Sequence, residues 1–370
     1  MSMNRRDFLE GSSKVLTASI LGAGAAISSE AAGKPQPQAA KRKYRLIDTE
    51  VHFEVPARRA ALLKQITVIP HWDEGGGAGG GGGIPGPKFD EVDNGTRTQF
   101  MDQAGVDVAV LSLPGWGVQN FATDTANSVA IEVNDYLADA IKKNPTRYAG
   151  FAHFAPQDPQ AAAKEIERAI TKLKLNGILV FSHTNGEYLD DKKFWPILEA
   201  AEALKTPLYI HARTVPATAA PMLRDMPTSL SQAPWGYPSE TSLHALRLMY
   251  SGALDQFPNL QVCLGHMGEG IPFWLYRIDY WYRGAKGKLK PSEYFKRSFM
   301  INTAGMNSHP ALKYCHEVLG PDKIMFATDY PYQLEMNEAS EFMNTAPFSE
   351  ADVEKMSHLN AEKYFRIASA

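Results

Sequence analysis

From position 44 onward, short apolar, β-branched runs alternate with longer segments whose apolar positions recur at helical spacing. Strands are expected over 44–51, 106–111, 147–154, 177–181, 207–211, 260–265, 299–302 and 323–327. Helices are expected over 125–144, 159–173, 194–204, 241–257 and 309–319, with a last one over 349–365. Strands that alternate with helices pair in parallel through crossover units, and eight such units predict a single closed (β/α)8 TIM barrel with insertions over residues 44–370.

Two stretches fall outside this rhythm. Residues 75–83 contain eight glycines in nine positions between Pro70 and Pro85, a composition with no side chains to pack, so they are expected to form a flexible loop after the first strand. At the start, Arg5 and Arg6 precede Phe8 and Leu9, a weakly apolar stretch follows over 15–27, and the small residues Ser29 and Ala31 come next. That order is expected of a twin-arginine export signal over 1–32, followed by a basic, proline-containing linker over 33–43. The protein is then expected to be periplasmic or exported, with no stable membrane anchor once the signal is cleaved. No later run has the apolar length of a membrane span.

Composition narrows the function classes. The 370 residues are 44% hydrophobic and 21% charged, enough apolar material for a substantial core, which excludes a disordered or fibrous chain. Lys and Arg number 38 against 41 Asp and Glu, a net charge of -3, so no basic field exists to attract nucleic acid. Cys263 and Cys315 are too few for a disulfide framework, lack zinc-knuckle spacing, and read as packing residues.

Polar residues terminate several of the predicted strands. Glu50 and His52 end the first, His211 the fifth, His266 follows the sixth and Asp329 the eighth. In a parallel barrel these ends converge on the C-terminal mouth, where catalytic residues gather. Glu50 and His52, one residue apart, share a side of their strand by its period of two. Histidine nitrogens and carboxylates gathered there suit one divalent metal ion, Mn or Zn, and exclude an iron–sulfur or thiolate site. Singly, each has a plainer role: a strand-end His hydrogen-bonds the backbone, and Asp329 could cap a helix. His71, His244, His309, His316 and His358 read as structural, while His153 and His183, at the ends of the third and fourth strands, are open to either role.

Three motifs carry a family resemblance: LGHMGEGIPFW at 264–274 leading to Arg277, with Glu240 and His244 ahead of it; FATDYP at 326–331; and NAEKYF at 360–365. Together they resemble the amidohydrolase-related metal-dependent decarboxylases, whose members include aminocarboxymuconate semialdehyde, γ-resorcylate, 2,3-dihydroxybenzoate and 5-carboxyvanillate decarboxylases. The Glu50-x-His52 start is similar to the hydroxybenzoate branch, where other members carry His-x-His. The resemblance implies Glu50, His52, His211 and Asp329 as metal ligands, with His266, Glu269 and Arg277 around a small carboxylic acid substrate; the roles open to Arg277 are support of Glu269, contact with the substrate carboxylate or contact with a neighbouring subunit. It also implies a homo-oligomer, a dimer or tetramer.

The implied reaction has a physical logic. Direct loss of CO2 from an aryl carboxylate leaves a localised aryl anion, so the ring carbon must be protonated first, with Asp329 the expected acid. His266 and Glu269, one helical turn past the sixth strand, are expected to pair and orient a substrate hydroxyl. Two alternatives stand beside this reading: a metal-dependent amidohydrolase or lactonase, with Asp329 as base toward water, and a metal-binding barrel without catalysis.

Overall fold

The computed structural model describes residues 43–66, 96–216, 218–219, 228–283, 285–332 and 336–369. Residues 1–32, where an export signal is expected, the expected linker 33–43 except Lys43, His71 and the glycine tract 75–83 lie outside the described residues.

Eight parallel strands follow one another around a barrel in chain order. They are β1 (Ile47–His52), β2 (Val108–Ser112), β3 (Tyr148–His153), β4 (Gly177–Phe181), β5 (Leu208–His211), β6 (Val262–Leu264), β7 (Phe299–Asn302) and β8 (Ile324–Met325). Each of the eight predicted runs overlaps one of these strands, β1 and β2 running one residue further, to His52 and Ser112. β8 is the shortest because the chain leaves β7 after Met325 and turns to β1: Thr49 N–H donates to the Phe326 carbonyl at 3.1 Å, Asp329 N–H to Glu50 at 3.1 Å and His52 N–H to Tyr330 at 2.8 Å. These bonds close the seam and set β1 beside the Asp329 segment.

Apolar side chains fill the barrel interior, among them Ile47, Val110, Phe151, Leu179, Tyr209, Cys263 and Met300. A larger apolar layer lies between strands and helices. The helix Thr123–Lys143 buries Ala126, Val129, Ala130, Val133, Leu137 and Ala140, the stripe its periodicity predicts. The helix expected over 241–257 instead starts at Gly236 and stops at Ser251, because Gly252 adopts a left-handed conformation (φ 85°) before a last turn, Ala253–Gln256. Helices at Pro56–Ile66, Thr96–Ala104, Ile271–Tyr280, Pro291–Ser298 and Met336–Asn344 add to the expected set. No helix among the described residues is long and apolar enough to cross a membrane.

The 360–365 motif closes the barrel floor. Phe365 packs on Phe151 with ring centroids 4.9 Å apart, and the Asn360 amide donates to the carbonyls of Pro321 and Ile324, both at 2.7 Å. A π-helical turn, Lys355–Leu359, precedes it, and there the Met356 carbonyl accepts the Phe326 N–H at 2.8 Å. The C-terminal segment thereby anchors β8 and the residues leading to Asp329.

Candidate active site

Glu50 and His52 both face the mouth, with a register irregularity between Asp48 and Val51 on their strand. Asp48 braces this place: its carboxylate accepts from Glu50 N–H at 3.2 Å, from Thr328 N–H at 3.0 Å and from the Thr328 hydroxyl. Burial pushes the Asp48 carboxyl up to about 7, against the pull of the Thr328 hydrogen bonds. The same contacts fix Thr328, so Asp329 is carried to β1 with a left-handed φ of 65°. His211 comes across from the end of β5. One ligand atom from each of Glu50, His52, His211 and Asp329 lies within 4.8 Å of the others.

The protonation of this cluster favours a cation at its centre. His52 Nδ1 is 3.0 Å from the Leu113 carbonyl and His211 Nδ1 is 2.7 Å from the Ala212 carbonyl. A carbonyl only accepts, so both Nδ1 atoms carry protons, and in the neutral rings both Nε2 atoms present lone pairs. Those two Nε2 atoms are 3.2 Å apart. Glu50 Oε1, buried and without a hydrogen bond, lies 2.9 Å from His211 Nε2, and Asp329 Oδ1 lies 3.4 Å from His52 Nε2. Two lone pairs and two carboxylate oxygens converging in a buried space repel one another unless a positive charge lies between them. Nitrogen and oxygen donors of this kind fit one divalent metal ion.

The cluster's charges are strongly shifted. Burial alone would raise Glu50, but His266 and His211 outweigh it and hold Glu50 below the usual carboxylate range. Asp329 is lowered in the same way, burial being overcome by its neighbours His266 and His52. Burial opposes charge on His266, yet Glu269 and Glu50 raise it well above the ordinary histidine value. His266 Nε2 stands 3.7 Å from Asp329 Oδ2 and 4.0 Å from Glu50 Oε1, at the edge of the cluster.

His266 and Glu269 do meet: Nδ1–H donates to Glu269 Oε1 at 2.8 Å. The turn that joins them, however, is not the right-handed one that their spacing predicts. His266, Met267, Gly268, Glu269 and Gly270 all have positive φ, from 49° to 77°, a left-handed turn that L-residues adopt only at a cost. The Ser242 hydroxyl secures it by donating to the Glu269 carbonyl at 2.7 Å.

Within the single chain Arg277 points away from this cluster. Its helix, Ile271–Tyr280, buries Ile271, Pro272 and Leu275, which turns Arg277 outward with Phe273, Trp274 and Tyr276. Among the described residues no hydrogen bond or ion pair joins it to Glu269 or to the four-donor cluster.

His153 and His183 have backbone partners. His153 Nε2 accepts from Leu113 N–H at 2.9 Å, while His183 accepts from Gly186 N–H at 3.1 Å and faces the Thr214 carbonyl at 3.0 Å. His244 accepts from Leu189 N–H at 3.2 Å beside a buried network in which Glu240 takes hydrogen bonds from Ser182 and Tyr188, both at 3.0 Å. Cys263 and Cys315 are buried free thiols.

Two site residues escaped the strand-end reading. Tyr209, two positions before His211 on β5, and Asn302, the last residue of β7, both reach Glu50 Oε2. Period two along β5 is the available signal for Tyr209, and the end of a barrel strand is the signal for Asn302.

The amidohydrolase family model matches residues 44–367. The γ-resorcylate decarboxylase of Polaromonas sp. is 37% identical over 284 residues, covering 73% of this chain and 86% of the relative. The 5-carboxyvanillate decarboxylase of Sphingomonas paucimobilis superposes with a TM-score of 0.82 at 43% identity, over 88% of this chain and 99% of that one. The 5-carboxyvanillate decarboxylase of Novosphingobium aromaticivorans, complexed with manganese and 4-hydroxy-3-methoxy-5-nitrobenzoic acid, gives a TM-score of 0.79 at 33% identity, over 90% and 98%. By its whole barrel, and by relatives that are decarboxylases, this chain belongs to the amidohydrolase family, among its metal-dependent decarboxylases.

Proposed function

We propose that this protein is a metal-dependent, non-oxidative decarboxylase, a carbon–carbon lyase, acting on a small hydroxylated aromatic carboxylic acid. The observation that carries the reading is the Glu50, His52, His211 and Asp329 cluster in a chain whose relatives of 37% and 43% identity are decarboxylases of such acids. The same relatives favour the lyase over a hydrolase on this barrel. Glu50, His52, His211 and Asp329 are the proposed ligands, and manganese is the proposed ion because solved relatives hold it. When bound, a divalent ion there supplies a chelating positive charge for the substrate's carboxylate and ortho oxygen.

The chain's own groups supply proton handling and orientation. Asp329, held ionised in the free protein by His266 and His52, can accept the proton of an ortho hydroxyl as the substrate binds. Loss of that proton makes the carbon bearing the carboxylate basic. Asp329 then returns the proton to this carbon, the ring regains aromaticity as the carbon–carboxylate bond breaks, and its electron pair stays with the ring. His266, kept charged by Glu269, faces Asp329 Oδ2 and favours the ionised carboxylate during the exchange. The left-handed turn holds His266 in that position. Asp329→Asn tests the assignment: decarboxylation should collapse while substrate still binds.

Two further parts of the reading have support outside the pocket. Phe273, Trp274, Tyr276, Tyr280 and Trp281 form an exposed aromatic face that supports a homo-oligomer, which sedimentation velocity tests. The order of Arg5–Arg6, apolar stretch and small residues supports export by the twin-arginine route.

A further inference from the structure

The two oxygens of Glu50 have opposite surroundings. Oε1 has no hydrogen bond and faces His211 Nε2. Oε2 takes two donors, the Tyr209 hydroxyl from β5 and the Asn302 amide of β7 at 3.2 Å. The two donors are themselves coupled, since Asn302 Nδ2 also donates to Tyr209 Oη at 2.9 Å. Asn302 Oδ1 accepts from Ala304 N–H at 3.2 Å, which fixes the amide's orientation. Tyr209, Asn302 and Glu50 are all buried, so water does not compete for these bonds.

A third strand makes room for the arrangement. Gly265, which follows β6, has an ordinary φ of -72°, so the backbone does not demand glycine there. Space does: a Cβ at this position would lie 2.9 Å from both Glu50 Oε2 and Tyr209 Oη. The glycine ahead of His266 is thus explained by the carboxylate–phenol pair packed against it.

We propose that Tyr209, Asn302 and Gly265 are positioning residues that commit Glu50 to a single ligating oxygen, Oε1. The inference rests on the reading of Glu50 as a metal ligand. With Oε2 occupied by two fixed donors, the carboxylate cannot swing to offer both oxygens, and an ion held there keeps its other positions for His52, His211, Asp329 and oxygens from outside the chain. Tyr209 comes from β5, Asn302 from β7 and Gly265 from just past β6 between them, so the barrel itself orients the ligand.

The test is manganese binding and needs no turnover. Chelator-stripped full-length protein, as wild type and as the variants Tyr209→Phe, Asn302→Ser and Gly265→Ala, is titrated with Mn(II) against a competing chelator. The electron paramagnetic resonance spectrum of the bound ion is then recorded. Tyr209→Phe keeps the ring that packs on Phe151 and removes only the hydroxyl. Loss of such support typically weakens metal binding by about 10- to 100-fold, and each variant is expected to fall in that range with an altered spectrum. Tyr294→Phe, which removes a buried hydroxyl bonded to Asp255 outside the barrel, is expected to match wild type in both readouts. Wild-type affinity and spectrum in Tyr209→Phe and Asn302→Ser, or equal losses in Tyr294→Phe, overturn the inference and leave the metal reading intact. Wild-type protein that takes up no stoichiometric Mn(II) overturns the metal reading and this inference with it.

Discussion

His52 and His211 face each other with their Nε2 atoms 3.2 Å apart, while each Nδ1 is turned to a backbone carbonyl. Neutral rings so arranged cannot hydrogen-bond to one another, and the carbonyls that lock their tautomers belong to Leu113 and Ala212, the residues just past β2 and β5. The pair is therefore built for a third party. Removing either ring should abolish stoichiometric metal: His52→Ala and His211→Ala, purified from manganese-supplemented medium, are expected to hold almost none by elemental analysis. Full occupancy in both variants would remove them from the ligand set.

The proton role of Asp329 predicts a divided kinetic effect. Its amide variant can still ligate weakly but cannot carry the proton, so kcat for decarboxylation should fall by roughly 10²- to 10⁴-fold while KM changes far less. His266→Asn should give a smaller loss. Single-turnover rates in heavy water, with metal content checked in each variant, decide the matter. Near-normal deuterium delivery to the ring by Asp329→Asn would move the acid role to another group.

Acid should destabilise the metal-free protein through its buried neutral histidines. Burial pushes His183 and His244 down to about 3, whereas in the unfolded chain they titrate near the ordinary value of about 6.5. Their contribution is complete above that unfolded value and is lost as pH falls below it toward 3, because the unfolded chain binds the protons. Each adds a slope of up to about 1.4 kcal/mol per pH unit within the window. Urea denaturation between pH 6 and 4 should therefore show a slope shallower by about one proton in His244→Gln than in wild type. An unchanged slope would mean that His244 is protonated in the folded state.

Export makes a cellular prediction. Replacing Arg5 and Arg6 with lysine should strand the precursor in the cytoplasmic fraction, while wild type is recovered outside it. Recovery of wild type as an uncleaved cytoplasmic protein would exclude the route.

Much of this architecture is legible in the sequence because its signals are local. Each strand is a short apolar run, and Glu50, His52, His211 and Asp329 stand out as polar residues where such runs end. Tyr209 and Asn302 are harder to see, since a tyrosine between Leu208 and Ile210, or an asparagine after Ile301, reads as packing or as a strand terminus until the opposite wall of the barrel is in place. The His266 and Glu269 pair is legible from spacing, but the hand of the turn is not: Met267 and Glu269 take left-handed angles because Gly268 and Gly270 permit the path and Ser242 secures it. The direction of Arg277 is hidden in the sequence for a similar reason. Helix phase decides its direction, and that phase is set by how Ile271 and Leu275 bury.

The central claim, that a metal held by these four residues makes this barrel a decarboxylase, is tested most directly by CO2 release. Chelator-stripped protein, before and after reconstitution with Mn(II), is offered a panel of ortho-hydroxybenzoates beside matched lactones and amides, with evolved CO2 and hydrolysis products both measured. The expected result is CO2 release from at least one hydroxybenzoate, absent in the stripped protein, restored by Mn(II), and lost in His211→Ala. Metal-restored hydrolysis of a lactone or amide, with no CO2 from any hydroxybenzoate, would contradict it.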